Sequence, residues 1–294
     1  MSSGDSSLPF SRHRHEAMAT WFELRIANED ATYAGQAALE AFALVDRLEN
    51  LLSRYREDSE ISQIGRLAPG ECLQLSADTF TCLRIALDFH AATGGAFDPA
   101  LGHWNRPDDA APIENTPRGR LVLFPDDRAV RCEDGPVQLD LGAIGKGFAL
   151  DLVAAQLREW ELPRALLVAG GSSLLALDGP APGEEWELTL TTRQSIWIAN
   201  AAVGASGGAV KGAHILDPRS GEPTHRYART WAHAASAAAA DALSTAWMLM
   251  DRDEITEVCR QQTGIGAAIL ADEARAEALE FFGDFPEPVY GTGR

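Results

Sequence analysis

Positive charge is in short supply in this chain: 25 Lys and Arg stand against 43 Asp and Glu in 294 residues, a formal net charge of −18. So acidic an average surface repels nucleic-acid phosphates and excludes DNA or RNA as a partner. Cysteine is scarce too. Cys72, Cys82, Cys132 and Cys259 lie far apart with no C-x-x-C pair, which excludes a thiolate metal cluster and a disulfide framework and predicts reduced, mostly buried thiols. Long apolar runs are missing, none approaching the ~20 residues needed to span a bilayer. Residues 1–16 are polar and are expected to form an N-terminal tail with no signal peptide or lipid anchor, so the chain as given is expected in the cytoplasm. Repeats and low-complexity linkers are also lacking. With 46% hydrophobic residues the chain can bury a substantial core, and residues 17–285 read as one domain followed by a C-terminal tail, 286–294.

The elements that patterning predicts alternate irregularly, which favours an α+β fold over a doubly wound parallel sheet. Ala19 to Ala27 alternates as a strand, and Ala31 to Leu52 carries Ala38, Phe42, Val45, Leu48 and Leu52 at helical spacing. A second helix is expected over about Ala77 to Ala92, then a Pro- and Asp-rich loop from Pro107 to Pro117. Short strands follow at Leu121–Phe124, Ala129–Cys132 and Val137–Leu141, then a helix from about Gly147 to Trp160. Further strands are expected near Ala165–Val168, Leu174–Leu177, Trp186–Thr192, Ile196–Val203 and Thr230–Ala237. The rest is a helix around Asp241, a short one from Glu254 and a strand at Ala267–Leu270.

Chemistry enters with Asp241 and Thr245, four residues apart in a helix-forming stretch, so that both oxygen side chains face the same way. A carboxylate beside a hydroxyl suits Mg²⁺, which takes oxygen ligands and completes its shell with water and substrate phosphates. A helix-cap role for Asp241 is the plainer alternative. The run Asp140-Leu-Gly142-Ala143-Ile-Gly145-Lys146-Gly147 leads from an apolar segment through glycines into a helix. Such a turn brings backbone N–H groups and a Lys close to an anion, although the spacing matches neither common nucleotide fingerprint. It is equally readable as a tight turn. His214 precedes the turn Asp217-Pro218-Arg-Ser-Gly221, and imidazole is suited to taking a proton from a hydroxyl. Thr93-Gly94-Gly95 reads as a helix end before the turn at Asp98-Pro99.

A reading of another class rests on Gly204-Ala-Ser206-Gly-Gly208, which satisfies the G-x-S-x-G of serine hydrolases, with Asp217 and His225 or His233 in the Ser-Asp-His order. That motif needs a helix directly after the serine, whereas further glycines follow here.

Seven segments in register resemble the FAD:protein FMN transferase family, also called the ApbE family. They are Met18-Ala-Thr20, Leu52-Ser-Arg-Tyr55 through Ser59-Glu60, Thr93 to Pro99, Leu139 to Gly147, Val168-Ala-Gly170-Gly171, Ala205-Ser206-Gly207 with His214 to Gly221, and Asp241 to Ala246. The resemblance implies a two-lobed, T-fold-like α+β architecture of mixed or antiparallel sheets and packed helices, with FAD between the lobes. It implies Mg²⁺ held by Asp241, Thr245 and the carbonyl of Ala143, with Lys146 neutralising phosphate and Tyr55 stacking on the flavin. Met18, Thr20, Asp151, Gly170, Gly171, Ser206 and Gly207 match positions that line the nucleotide pocket. The implied activity is Mg²⁺-dependent transfer of FMN from FAD to a Ser or Thr hydroxyl of a client flavoprotein, releasing AMP. His214 would serve as base and Asp217 as its orienting partner. An FAD pyrophosphatase and a non-catalytic FAD binder are the alternatives within the family. Ser172 stands where the family commonly shows an acidic or amide residue.

Overall fold

The computed structural model describes residues 10–28, 30–101, 119–207, 217–220, 224, 226–272, 274 and 278–290. An eight-stranded antiparallel sheet forms its centre, in the order β1-β2-β6-β7-β10-β11-β12-β13. Its strands are β1 (Phe10–Ala17), β2 (Thr20–Ala27), β6 (Ala165–Ala169), β7 (Ser173–Ala176), β10 (Ala201–Gly207), β11 (Arg229–Ala234), β12 (Gly266–Leu270) and β13 (Leu279–Gly283). Two three-stranded sheets flank it: β3 (Cys72–Gln74), β5 (Ala129–Glu133) and β4 (Arg120–Phe124), and β14 (Val289–Tyr290), β9 (Gln194–Ile198) and β8 (Trp186–Thr189). The α+β expectation agrees with this arrangement.

Strand alternation divides the buried side chains between two cores. One face of the central sheet, with Phe22, Leu24, Leu167 and Leu175, packs against α1 (Ala31–Leu52), α4 (Gly145–Glu159) and α5 (Ala237–Trp247), and α3 (Ala77–Ala92) packs on α1 and α5 in the same core. The other face, with Leu166, Val168, Val203 and Trp231, is covered by Trp186, Ile196 and Ile198 from β8 and β9. α1 starts where Asp30 accepts from the N–H groups of Thr32 and Tyr33, and it buries Ala38, Phe42, Val45, Leu48 and Leu52 on one stripe. The short helices α2 (Glu60–Ile64) and α6 (Arg252–Gln261) complete the set, the latter opened by a reciprocal Asp251–Glu254 capping box.

Several expectations change. Residues 10–16 are not tail: β1 pairs with β2 from Phe10↔Ala27 to Ala17↔Thr20. Its polar sequence belongs to an edge strand, whose charged side chains discourage pairing with other chains. The C-terminal tail contains β14, which pairs with β9. Val137–Leu141 is not a strand; the segment is irregular, and Asp140 N–H donates to the Pro99 carbonyl at 2.7 Å. The single strand expected over Ile196–Val203 breaks at Asn200 (φ 50°), so that β9 and β10 enter different sheets. The strand expected to reach Ala237 ends at Ala234, because Ser236 accepts from Ala239 N–H and opens α5. The loop expected from Pro107 to Pro117 lies outside the described residues. Cys82, Cys132 and Cys259 are buried free thiols and Cys72 an exposed one.

Candidate active site

α4 and α5 meet at their first turns, and each supplies a carboxylate to the other. Helix starts leave N–H groups without partners, and Ile144 at the head of α4 has no capping side chain. Asp241 fills that role from α5: its Oδ2 accepts from Gly147 N–H at 2.8 Å. In return Asp151, on α4, accepts from the N–H groups of Ala237 (2.7 Å) and Ala238 (2.9 Å) at the head of α5. The crossing is close enough to require glycine, since a Cβ on Gly147 would stand 2.1 Å from the Ala237 carbonyl oxygen. Burial pushes the Asp151 carboxyl up to about 6, against the opposing pull of its two backbone hydrogen bonds.

Asp241 is only 4% exposed. Lys146 Nζ lies 3.6 Å from its Oδ2 and 3.4 Å from the Gly142 carbonyl oxygen. The cap reading of Asp241 holds for one oxygen, which serves α4, while Oδ1 takes no hydrogen bond from the described residues. Gly147 N–H is one of the orphan donors in the first turn of α4, and Asp241 accepts it. Ala143 precedes the N-cap Ile144, so its carbonyl lies outside the helical ladder of α4.

Thr245, one turn beyond Asp241, is held by hydroxyls. Ser206 Oγ lies 3.2 Å from Thr245 Oγ1 and 3.0 Å from Ser244 Oγ, and Ser244 Oγ donates to the Asp241 carbonyl at 3.0 Å. Thr230 Oγ1 donates to the Ser244 carbonyl at 2.6 Å. Ser206 and Gly207 end β10, and Ala205 N–H donates to the Ser172 carbonyl at 2.7 Å, which joins this strand end to the β6–β7 turn. That turn contains Gly170 (φ 59°) and Gly171 (φ 70°), and a Cβ on Gly170 would meet Thr20 Oγ1 at 2.5 Å. Gly170 N–H also donates to the Trp21 carbonyl at 2.8 Å. Met18, partly buried on the main core, sits beside Thr20 in the β1–β2 turn. Met18, Thr20, Gly170, Gly171, Ser206 and Gly207 thus follow one another across neighbouring turns and strand ends, with Thr245 of α5 against Ser206.

Tyr55 is 76% exposed, and the Arg54 guanidinium lies over its ring, 4.6 Å from the centroid. Arg54 also donates to the Tyr55 hydroxyl at 2.9 Å, and its Nε pairs with Asp140 Oδ2 at 3.2 Å. Asp140 Oδ1 accepts from Gly142 N–H at 2.8 Å, so Arg54 and Asp140 tie Tyr55 to the glycine turn before α4. Sequence reasoning had not singled these two out. An Asp two residues before a Gly is the available signal, since its side chain bonds the backbone two positions on. Ser244 and Thr230 gave no signal, being hydroxyls inside apolar runs.

His214 lies outside the described residues. Asp217 is held by Arg219, which donates to both of its oxygens, at 3.0 and 2.9 Å, and reaches Glu254 at 2.7 Å. Those bonds hold the Asp217 carboxyl below the usual carboxylate range in spite of partial burial. The serine-hydrolase arrangement has no support, since Ser206 is in a strand and its oxygen is shared with Ser244 and Thr245. A groove of about 530 Å³ between β1 and α1, lined by His13, His15, Leu39 and Phe42 among others, includes none of the site residues.

A model of the ApbE family matches residues 18–269. The chain belongs to the ApbE family. Among curated relatives, the FAD:protein FMN transferase of Treponema pallidum is 26% identical over 89% of this chain and 84% of its own length. The enzyme of the same name from Salmonella typhimurium is 25% identical over 84% and 80%. Among solved structures, the Pseudomonas stutzeri flavinyl transferase ApbE in its apo form superposes with a TM-score of 0.78 at 21% identity, covering 98% of this chain and 97% of that one. The ApbE protein of Thermotoga maritima gives 0.77 at 23% identity, covering 93% and 97%. These superpositions establish the ApbE fold for the chain.

The residues around Asp241 fit a hard divalent cation. Among the described residues no three His, Cys, Asp or Glu side chains gather as a metal-binding group. The oxygens available at α4 and α5 are instead a buried carboxylate, a hydroxyl and the backbone carbonyl of Ala143 just ahead of α4. That all-oxygen set suits Mg²⁺, which binds through one or two carboxylates and leaves positions for water and phosphate.

Proposed function

We propose that this protein transfers the FMN unit of FAD to a Ser or Thr hydroxyl of a client flavoprotein, with AMP as the leaving product and Mg²⁺ as the required cation. The observation that carries the reading is the buried Asp241 beside Lys146, with Thr245 one turn on and the Ala143 carbonyl just ahead of the first turn of α4. Its family membership and the names of its curated relatives support the same activity.

Asp241, Thr245 and the Ala143 carbonyl would hold the cation, which when bound withdraws charge from the diphosphate and orients it for in-line attack. Lys146, shared between Asp241 and the Gly142 carbonyl, supplies the mobile positive charge for the FAD phosphates. Tyr55, exposed and backed by Arg54, offers a ring face to the isoalloxazine. Met18, Thr20, Gly170, Gly171, Ser206 and Gly207 shape the wall along which the nucleotide would lie.

In the reaction the acceptor oxygen forms a bond to the FMN phosphorus and the anhydride bond to the AMP phosphate breaks. The hydroxyl proton passes to His214 as general base. Asp217 braces the turn after His214 through Arg219.

The test is incubation with FAD, Mg²⁺ and an acceptor flavoprotein, with mass analysis of protein and nucleotide. An acceptor heavier by one FMN, with AMP in equal amount, is the expected result. Free FMN with AMP and an unmodified acceptor would make the chain a pyrophosphatase. FAD bound but intact would make it a binder. Asp241→Ala should abolish the Mg²⁺-dependent turnover with the fold retained, and undiminished AMP release would remove Asp241 from the site.

A further inference from the structure

Asp151 does not behave as a residue that lines the nucleotide pocket. Both of its carboxylate oxygens are used, Oδ1 by Ala237 N–H and Oδ2 by Ala238 N–H. These N–H groups open α5, and Asp241 follows Ala237 by four residues, one helical turn along the same face. On α4 the same spacing recurs, because Asp151 follows Gly147 by four, and Gly147 N–H is the donor to Asp241. Two carboxylates thus cross-link two helix starts, each attached one turn from the other's anchor. A helix N-terminus gains from a nearby negative charge and from acceptors for its orphan N–H groups. Here that gain also fixes the rotation and axial position of one helix against the other.

We propose that Asp151 is a positioning residue for the cation site: by clamping the first N–H groups of α5 to α4 it sets where Asp241 and Thr245 present their oxygens. Ser236, the ordinary cap of α5, accepts from Ala239 N–H within its own helix, and among the described residues its side chain makes no bond to α4. Mg²⁺ demands near-ideal octahedral geometry, so a small rotation of α5 costs cation affinity before it costs the fold. The inference rests on the cation site proposed above, but its test does not require turnover.

Asp151→Asn keeps the shape while losing the charge and one acceptor, and its amide turns N–H groups toward an N–H donor. Mg²⁺ is titrated calorimetrically into the FAD-saturated protein without acceptor. FAD affinity is measured separately from flavin fluorescence in EDTA. The expected result is Mg²⁺ affinity about tenfold weaker with FAD affinity unchanged, and partial recovery in Asp151→Glu, which keeps both acceptor oxygens on a longer arm. A loss of FAD affinity in EDTA with Mg²⁺ affinity intact would assign Asp151 to the nucleotide and overturn the proposal. A lower melting temperature with both affinities intact would reduce it to a structural cap and also overturn it. If Asp151→Asn does not fold, Asp151→Glu decides: weakened Mg²⁺ binding with intact FAD binding upholds the assignment, and unchanged Mg²⁺ binding ends it. Failure to release AMP from FAD would count against the transferase reading alone, since these affinities are measured without it.

Discussion

Asp241 Oδ2 accepts a hydrogen bond from Gly147 N–H across the interface of α4 and α5. The contact exists because Gly147 has no side chain; a Cβ there would lie 2.1 Å from the Ala237 carbonyl oxygen and 2.7 Å from Ala238 N. Both neighbours are helix backbone and cannot yield by rotating a bond. Gly147→Ala should therefore push the helices apart, destabilising the protein by ~1–3 kcal/mol or more as overpacking does. It should also abolish Mg²⁺-dependent AMP release. Urea denaturation and an AMP assay on the folded variant check the two parts. A variant with parental stability would show that the helices are not in backbone contact.

Ser206 holds Thr245 and Ser244 through its single oxygen. If Ser206 only orients Thr245, Ser206→Ala should raise the Mg²⁺ concentration for half-maximal turnover a few-fold and leave the maximal rate near the parental value. A serine nucleophile would behave differently, since its removal costs orders of magnitude in rate. A rate loss that Mg²⁺ cannot restore would return Ser206 to the chemistry.

Much of this site was legible because local rules and tertiary geometry agree. The four-residue spacing of Asp241 and Thr245 places both on one face of α5, and the glycines before α4 mark a close approach. α1 and α3 begin and end where helical spacing and caps put them. Strand positions were legible less evenly. β1 reads as polar because an edge strand with one neighbour needs no apolar alternation, and Val137–Leu141 reads as a strand although its apolar side chains enter the core from irregular backbone. The bonds of Asp151 to the head of α5 were not legible at all. Its two partners lie more than eighty residues away, at Ala237 and Ala238, and nothing in its neighbours distinguishes it from a surface acid. Nor could sequence separate cap from ligand at Asp241, where the fold uses one oxygen for the cap and leaves the other.

In the proposed reaction, His214 is the residue on which the transfer step leans most. His214→Ala should bind FAD as the parent does and lose transfer by roughly 10²-fold, as expected for a missing general base. Flavin fluorescence and acceptor labelling separate the two effects. A variant that labels the acceptor at the parental rate would remove His214 from the reaction.

The β1–β2 turn carries backbone strain beside the proposed nucleotide wall. Met18 (φ 52°) and Ala19 (φ 55°) both lie in the left-handed region, as a two-residue turn between antiparallel strands requires, but neither is a residue that favours it. Non-glycine residues held there cost of order 1–3 kcal/mol each. Ala19→Gly should relieve part of that cost and raise the urea midpoint by the equivalent of ~0.5–1 kcal/mol, offset by the greater freedom of glycine in the unfolded chain. No gain in midpoint would mean that the turn adopts another conformation in solution.

The buried carboxylate of Asp151 makes a prediction with a defined sign. Burial first, and the negative charge of Asp241 in addition, raise its folded value from 3.8 to about 6, against the pull of the Ala238 and Ala237 N–H groups and of Arg158. A folded state that binds the proton more tightly than the unfolded chain gains stability as pH falls between those values. The contribution of Asp151 is therefore fully present below about pH 4 and is lost as pH rises through 6. Asp151→Asn has no such titration. The stability difference between parent and variant should shift in favour of the parent by up to ~2–3 kcal/mol between pH 7 and pH 4, measured by urea denaturation of both proteins in the same buffers. Cation binding should run the other way, because protonation removes the charge and one of the acceptors that hold α5. The Mg²⁺ affinity of the parent should fall below about pH 6 while that of Asp151→Asn, already weak, stays flatter. Parallel pH profiles for the two proteins would mean that Asp151 stays ionised throughout and that its two N–H bonds outweigh the cost of burying it.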